Sequence, residues 1–402
     1  LFSMSVLPRR FHSFLCTSPF YSWPLQSHRE YLLFALLLVT VTFTWNEWLI
    51  YHAKIATTCN WKADEGGERL RIFVLSDTHL LGVNRGHWFD KLRREWQMRR
   101  GYQAARFHLQ PEASFFLGDL FDEGQWANPN LLNVYAETFD SHFAHPDTPI
   151  HVLPGNHDLG FHDYLRPHVV DWFRRRYNRG VMDVVSIGRR PFVLMTSMAL
   201  HGDGCRLCEE GERVLEQIGR SKRCRETNDS SPTCTQALRK ISWPEAPLQP
   251  ILMQHFPMYR EDETACSEVP EWDPERTTRY RERWEALSRA ASDAVERTLR
   301  PISAAFDGHA HRPCTKRWHG LAPFTEYTVN SFSWRNGANP SLLLVSLPKD
   351  HDGEPSVAVC YLPSEYTVIA IYLISGIVIL FYFMLYCKKS YAKRHYNAVK
   401  LK

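Results

Sequence analysis

Five times between residues 71 and 311, a short apolar run breaks off into a loop carrying carboxylate, amide or imidazole side chains. That repetition restricts the fold more than any other feature of the chain. Residues 71–75 are followed by Asp77 and His79. Residues 114–117 lead into Gly118-Asp119-Leu120-Phe121-Asp122-Glu123-Gly124, and residues 150–153 into Gly155-Asn156-His157-Asp158. Residues 251–253 precede His255, and residues 303–306 precede Gly308-His309-Ala310-His311. Loops at the ends of buried strands are where an open α/β sheet assembles its sites.

Further β-like runs occupy 192–195 and 342–345, and helices are expected at 89–109, rich in Arg and Trp, and at 131–143. Strands alternating with helices, then later strand pairs, predict an α/β layered domain. The polar, Cys-rich stretch 201–247, with Pro244 and Pro247, reads as an insertion. Taken singly, D-x-H, GNHD or GHAH could be an ordinary turn or surface loop. Their joint occurrence, each after an apolar run, points to one site. Imidazole, carboxylate and amide oxygen together favour manganese, iron or zinc over calcium. The set contains no cysteine, which argues against a structural zinc site.

The ends of the chain differ from its middle. The formal charge is +4, but residues 1–30 carry +2 and residues 388–402 carry +6, which leaves −4 for residues 31–387. A nucleic-acid binder would want a basic stripe on its folded domain. Basic ends instead suit an anionic cytoplasmic leaflet. Residues 366–387 are uncharged for 22 positions and are followed at once by Lys388-Lys389, long enough to span a bilayer. Residues 31–45 are apolar, then Asn46-Glu47 interrupts before Trp48-Leu49-Ile50-Tyr51. We read 31–51 as an uncleaved anchor with Trp45, Trp48 and Tyr51 at the interface. Both basic ends are then cytoplasmic by the positive-inside rule, and residues 52–365 are lumenal. The expected order is a cytoplasmic segment 1–30, a span 31–51, a lumenal linker 52–69 and a catalytic domain 70–350. A linker 351–365, a span 366–387 and a basic tail 388–402 follow. Cys205, Cys208, Cys224 and Cys234 could be a zinc set in a reducing compartment, but in a lumen disulfides are expected. Asn228-Asp229-Ser230 is a glycosylation sequon.

The five motifs together resemble those of the calcineurin-like metallophosphoesterases, without substitution, from Asp77 to His311. The resemblance implies a four-layer α/β/β/α sandwich, here flanked by two transmembrane helices, and a dinuclear phosphodiesterase. It implies that Asp77, His79 and His311 hold one metal, that Asn156, His255 and His309 hold the other, and that Asp119 bridges them. His157 would be the acid facing the leaving group, with Asp158 orienting its ring. Two divalent ions are implied, manganese first, with zinc or iron as alternatives. The chemistry agrees. A phosphodiester's oxygens repel a nucleophile, and two cations about 3.5–4 Å apart neutralise them and activate the attacking water. An imidazolium can protonate the departing alkoxide.

Within that family the chain is similar to the GPI-anchor-remodelling ethanolamine-phosphate phosphoesterases and their fungal cell-division-control relatives. The likeness lies in the two spans, in residues 73–82, in the Trp/Arg-rich helix and in the basic tail. It implies removal of ethanolamine phosphate from the second mannose of protein-attached GPI, which promotes export from the endoplasmic reticulum. GPI-anchored proteins would be the substrate and cargo-sorting machinery a partner, at ER exit sites, the ER–Golgi intermediate compartment and the Golgi. The alternatives are a lumenal hydrolase of another phospholipid or of a sugar nucleotide, and a non-catalytic cargo receptor on the same fold. A complete ligand set counts against the receptor.

Overall fold

The structure is a computed structural model that describes residues 25–62, 67–84, 86–245, 248–319 and 322–400. Most of the expected N-terminal segment, residues 1–24, lies outside them. The described chain opens with α1 (Leu25–Thr44), a π-helical stretch Trp45–Leu49, and α2 (Ile50–Thr58). It closes with the 36-residue α10 (Glu365–Lys400). The helical segments Arg29–Thr58 and Glu365–Ala392 are each long and apolar enough to cross a membrane, by length and composition. The polar pair that interrupts the first apolar stretch is not left facing outward. Asn46, 1 % exposed, donates from Nδ2 to the Val368 carbonyl at 3.1 Å, and the Tyr372 hydroxyl donates to Glu47. Thr42 and Ser375 hydroxyls lie 2.9 Å apart one turn away. Hydrogen bonds between polar groups of two helices are what an apolar surrounding favours.

Between these helices, the apolar runs become strands because each can be buried on both faces. The first sheet contains β1 (Arg69–Leu75), β2 (Ala113–Leu117), β3 (Ile150–Leu153), β10 (Ser341–Pro348) and β11 (Ser356–Tyr361), in the order β11-β10-β1-β2-β3. The second contains β4 (Met182–Ile187), β5 (Arg190–Met195), β6 (Ile251–Gln254), β7 (Ala304–Asp307), β8 (Cys314–Trp318) and β9 (Phe324–Thr328), in the order β4-β5-β6-β7-β9-β8. β1, β2 and β3 run parallel, as do β5, β6, β7 and β9, so their C-terminal ends share an edge in each sheet.

Period-two alternation decides which side chains meet between the sheets. Leu70, Ile72 and Val74 of β1 join Phe115, Phe192, Met253, Phe306 and Val345 in one buried core. The Phe115 and Phe192 rings stack across it at 4.9 Å. Each such side chain contributes about 1.5–3 kcal/mol by leaving water. The other face of the first sheet is covered by α3 (Trp88–Leu109) and α4 (Pro129–Phe143), with the Tyr102 hydroxyl 3.0 Å from that of Ser114 and Phe116 set edge-on to Phe139 at 5.0 Å. The remaining helices are α5 (Asn156–Leu159), α6 (Pro167–Tyr177), α7 (Arg206–Glu226), α8 (Pro232–Lys240) and α9 (Arg289–Leu299). The two facing sheets with helices outside them are the layered α/β fold expected. The Cys-rich stretch is largely helical, forming α7 and α8, and the sequon residue Asn228 is exposed just beyond α7.

Four disulfides have both cysteines among the described residues: Cys205–Cys208, Cys224–Cys234, Cys266–Cys314 and Cys59–Cys360. The first two pairs use up the four-cysteine set that could have been a zinc site. Cys59–Cys360 ties the segment after α2 to β11 across 301 residues. Replacing both by serine is expected to cost about 2–5 kcal/mol and to lower the melting temperature by roughly 5–15 °C. A calorimetric melt of the full-length protein indistinguishable from wild type would remove that role.

Candidate metal centre

Asp77 and His79 leave β1, Asp119 leaves β2, Asn156 and His157 follow β3, His255 follows β6, and His309 and His311 follow β7. The loops are tightly wound. Asp77, His79, Asp119, His309 and His311 all hold left-handed φ, between 43° and 65°. Such backbone costs about 1–3 kcal/mol per residue and persists only where its surroundings over-determine it. Here they do: the Asp77 amide donates to the Gly118 carbonyl, the His79 amide to the Asp119 carbonyl, and Ser331 Oγ to the Asp77 carbonyl. Two motif glycines permit the crowding. A Cβ on Gly155 would collide with Asp119 Oδ1, and one on Gly308 with Ser76 Oγ.

All nine residues singled out in the sequence come together in this one place. Asp77, His79, Asp119 and His311 present ligand atoms within 4.8 Å of one another, and so do Asp119, His255 and His309. Asp119 is common to both groups. Its Oδ2 lies 3.5 Å from His79 Nε2 and its Oδ1 3.4 Å from His255 Nε2. Asn156 Oδ1 is 3.2 Å from the same His255 nitrogen. His79 and His311 turn their Nε2 atoms toward each other at 3.2 Å, and both face Asp77 Oδ1, a buried oxygen with no hydrogen-bond partner. His255 Nδ1 donates to the Leu117 carbonyl at 2.7 Å, and His309 Nε2 to the Trp284 carbonyl at 2.7 Å. Those outer bonds select the tautomer that leaves the other nitrogen free, the habit of ligating histidines. Convergent lone pairs, an orphaned buried carboxylate oxygen and a donor set of imidazole, carboxylate and amide fit a pair of divalent transition ions.

The expected role of Asp158 needs correction. Its carboxylate does not reach the His157 ring; it accepts the backbone N–H groups of Leu120 and Phe121 at 3.1 and 3.0 Å and of Gly155 at 2.8 Å. The short α5 turns it back into the loop, so it fixes the Asp119 loop against the Asn156 loop. The ring is held instead by Asp122, whose carbonyl lies 3.1 Å from His157 Nδ1. The fully buried Asp122 carboxylate also lies 3.3 Å from His79 Nδ1 and 2.9 Å from Arg335 Nη2. Asp122 was visible inside G-D-x-x-D-x-G but carried no assigned role. Arg335 had no signal in the sequence.

Without metal, protons take the place of cations here. Burial opposes charge on His255, but Asp119 and Asp77 override it and raise its pKa to about 9. Burial would likewise raise Asp77, yet His311 beside it holds it down at about 2. Burial and His255 lower His309 to about 3, leaving it neutral. Metal must displace the His255 proton, so affinity rises with pH and levels off near 9. Below that, each displaced proton should weaken binding about tenfold per pH unit. Proton release on manganese uptake at pH 7, followed by titration calorimetry in buffers of different ionisation heat, checks this; uptake with no release refutes it.

This fold and site define a class. Residues 70–313 match the calcineurin-like phosphoesterase family, and the chain belongs to it, as a dimetal phosphoesterase. It is similar to the Metallophosphoesterase 1 homolog of Caenorhabditis elegans, 39% identical over 349 residues, covering 85% of this chain and 88% of that protein. It is also similar to Metallophosphoesterase 1 of Xenopus laevis, 35% identical over 382 residues, covering 89% and 90%. A solved dimetal phosphatase from Danio rerio aligns over 73% of this chain and 99% of its own, with a TM-score of 0.39 at 13% identity.

Proposed function

We propose that this chain is a membrane-tethered phosphodiesterase that removes ethanolamine phosphate from the second mannose of protein-attached GPI anchors, and so promotes their export from the endoplasmic reticulum. The observation that carries the substrate reading is a hollow of about 350 Å³ beside His309. Glu263, Glu275 and Glu285 line it with Arg312, which pairs with Glu275 and Glu263, while Arg281 pairs with Glu285 and Arg260 with Glu263. Carboxylates lining a hollow next to a phosphoester centre suit a substrate whose phosphate carries an ammonium group two carbons away, which would share them with these arginines. A simple phosphomonoester would gain nothing from it.

In this reading Asp77, His79 and His311 would hold one ion, Asn156, His255 and His309 the other, and Asp119 both; manganese is the proposed metal. When bound, the pair supplies charge neutralisation and an activated water. His157 keeps Nδ1 on the Asp122 carbonyl, which leaves Nε2 to pass a proton to the departing mannose oxygen. Arg335 balances the buried Asp122 carboxylate. The four disulfides among the described residues support an oxidising lumen for the catalytic unit, and the basic ends place both termini on the cytoplasmic side in this reading. A C-terminal tag protected from protease in sealed vesicles would overturn that orientation. The function is tested by mass spectrometry of GPI glycans from cells lacking the protein. The second mannose is expected to retain ethanolamine phosphate, and an unchanged glycan profile would overturn the reading.

A further inference from the structure

A second convergence of ligand types lies where the turn after α5 meets the start of the Cys-rich stretch. His162 opens the 3-10 turn His162–Tyr164, His201 follows the turn Ser197–Leu200, and Asp203 comes two residues later. We propose that His162, His201 and Asp203 form a third metal site, separate from the dinuclear centre, that takes zinc or a similar divalent transition ion.

One ligand atom from each of the three lies within 4.8 Å of the others. His162 Nδ1 and Asp203 Oδ2 are 3.2 Å apart, close to the roughly 3.3 Å edge of a tetrahedron with bonds of about 2.0–2.1 Å. Each ligand has its outer bond in place. His162 Nε2 is 3.2 Å from the Arg283 carbonyl, so that nitrogen carries the hydrogen and Nδ1 keeps a lone pair. Asp203 Oδ1 accepts the Cys205 amide at 3.2 Å, which leaves Oδ2 for the ion. His201 supplies the independent observation. It is 2 % exposed, and its buried Nε2 has no hydrogen-bond partner among the described residues. An imidazole nitrogen left so is costly, by about 1–3 kcal/mol, and an ion would relieve it. Burial first, then His162, hold His201 at a pKa of about 4 against the pull of Asp203, so it is neutral and able to coordinate at physiological pH.

With Cys205 and Cys208 joined to each other, the described residues supply three protein ligands, and water would complete a tetrahedral ion. The site is linked to the dinuclear centre by one residue. The His162 ring lies 4.9 Å from that of Trp284, whose carbonyl accepts from His309. An ion at His162 would therefore steady the loop that holds a ligand of the dinuclear pair.

The test counts zinc in full-length protein purified in detergent, with disulfides verified intact by thiol alkylation. After saturation with zinc alone and removal of the excess, wild type is expected to hold three ions per chain. His201→Gln and Asp203→Asn should each hold two. Asp203 is a partly exposed side chain, so Asp203→Asn reports even if His201→Gln misfolds. Asp119→Asn should retain the third ion, and the Asp119→Asn, Asp203→Asn double variant should lose it. Wild type holding only two ions, with His201→Gln and Asp203→Asn unchanged from it, overturns the third site. A failure of the dinuclear assignment would appear separately, as no loss in Asp119→Asn alone.

Discussion

Asp119→Asn is expected to abolish hydrolysis and to empty both halves of the dinuclear centre. Among the described residues, Asp119 is the one side chain shared by both ligand groups, one oxygen to each, and it is 1 % exposed. An amide keeps the shape but offers one acceptor and no charge. The remaining oxygen can still accept the His157 backbone N–H, now 2.8 Å from Asp119 Oδ1, so the loop itself should survive. Metal-ion catalysis is worth several kcal/mol, and 4 kcal/mol is about 10³-fold in rate. A loss of at least that order is therefore expected, on every phosphodiester tried. Metal analysis and the melting curve of the variant are the checks. Retention of both ions at full loading, with hydrolysis intact, would end the bridging assignment.

His157→Ala separates the leaving group from the attack. The His157 ring is 28 % exposed, its Nδ1 is engaged by Asp122, and its backbone amide, not its ring, reaches Asp119. Alanine keeps that amide bond, so metal loading should hold. A mannose alkoxide leaves badly without a proton, whereas nitrophenolate leaves readily. On the proposed GPI substrate, release of ethanolamine phosphate is thus expected to fall by about 10²–10⁴-fold, the usual worth of an acid catalyst, with a much smaller loss on a nitrophenyl phosphodiester. If the ring only packs beside His79, at 4.7 Å between centroids, both substrates should suffer alike. Rates on both at verified full loading decide it, and equal losses would remove the acid role.

What could be read in the sequence follows from how local each signal is. β1, β2, β5, β6, β7 and β10 are buried apolar runs, and each was expected within a few residues of its place. β4, β8 and β11 lie at sheet edges, and β9 lies beside one; the mixed patterns of β4, β8 and β9, such as Cys-Thr-Lys-Arg-Trp in β8, carry no continuous apolar run, whereas residues 357–361 of β11 are apolar throughout and were not singled out. The ligand loops were legible because each sits directly after a strand. Asp158 was misjudged because adjacency to His157 in sequence suggested adjacency of side chains, and successive side chains on a helix point about 100° apart. Arg335 reaches Asp122 only through the fold. Cys266–Cys314 and Cys59–Cys360 close loops of 48 and 301 residues, a pairing that spacing cannot reveal.

The ligands come from the ends of β1, β2 and β3 in one sheet and of β6 and β7 in the other. Any ion pair held there is a rivet through the sandwich, and its grip gauges how well the two halves are aligned. A substitution deep in the shared core, at Phe115 or Phe192, acts on that alignment without touching a ligand. Nascent chain also cannot hydrolyse anything before residue 311 has been made and both sheets have closed. The catalyst is therefore silent throughout its own synthesis and switches on only as a finished object.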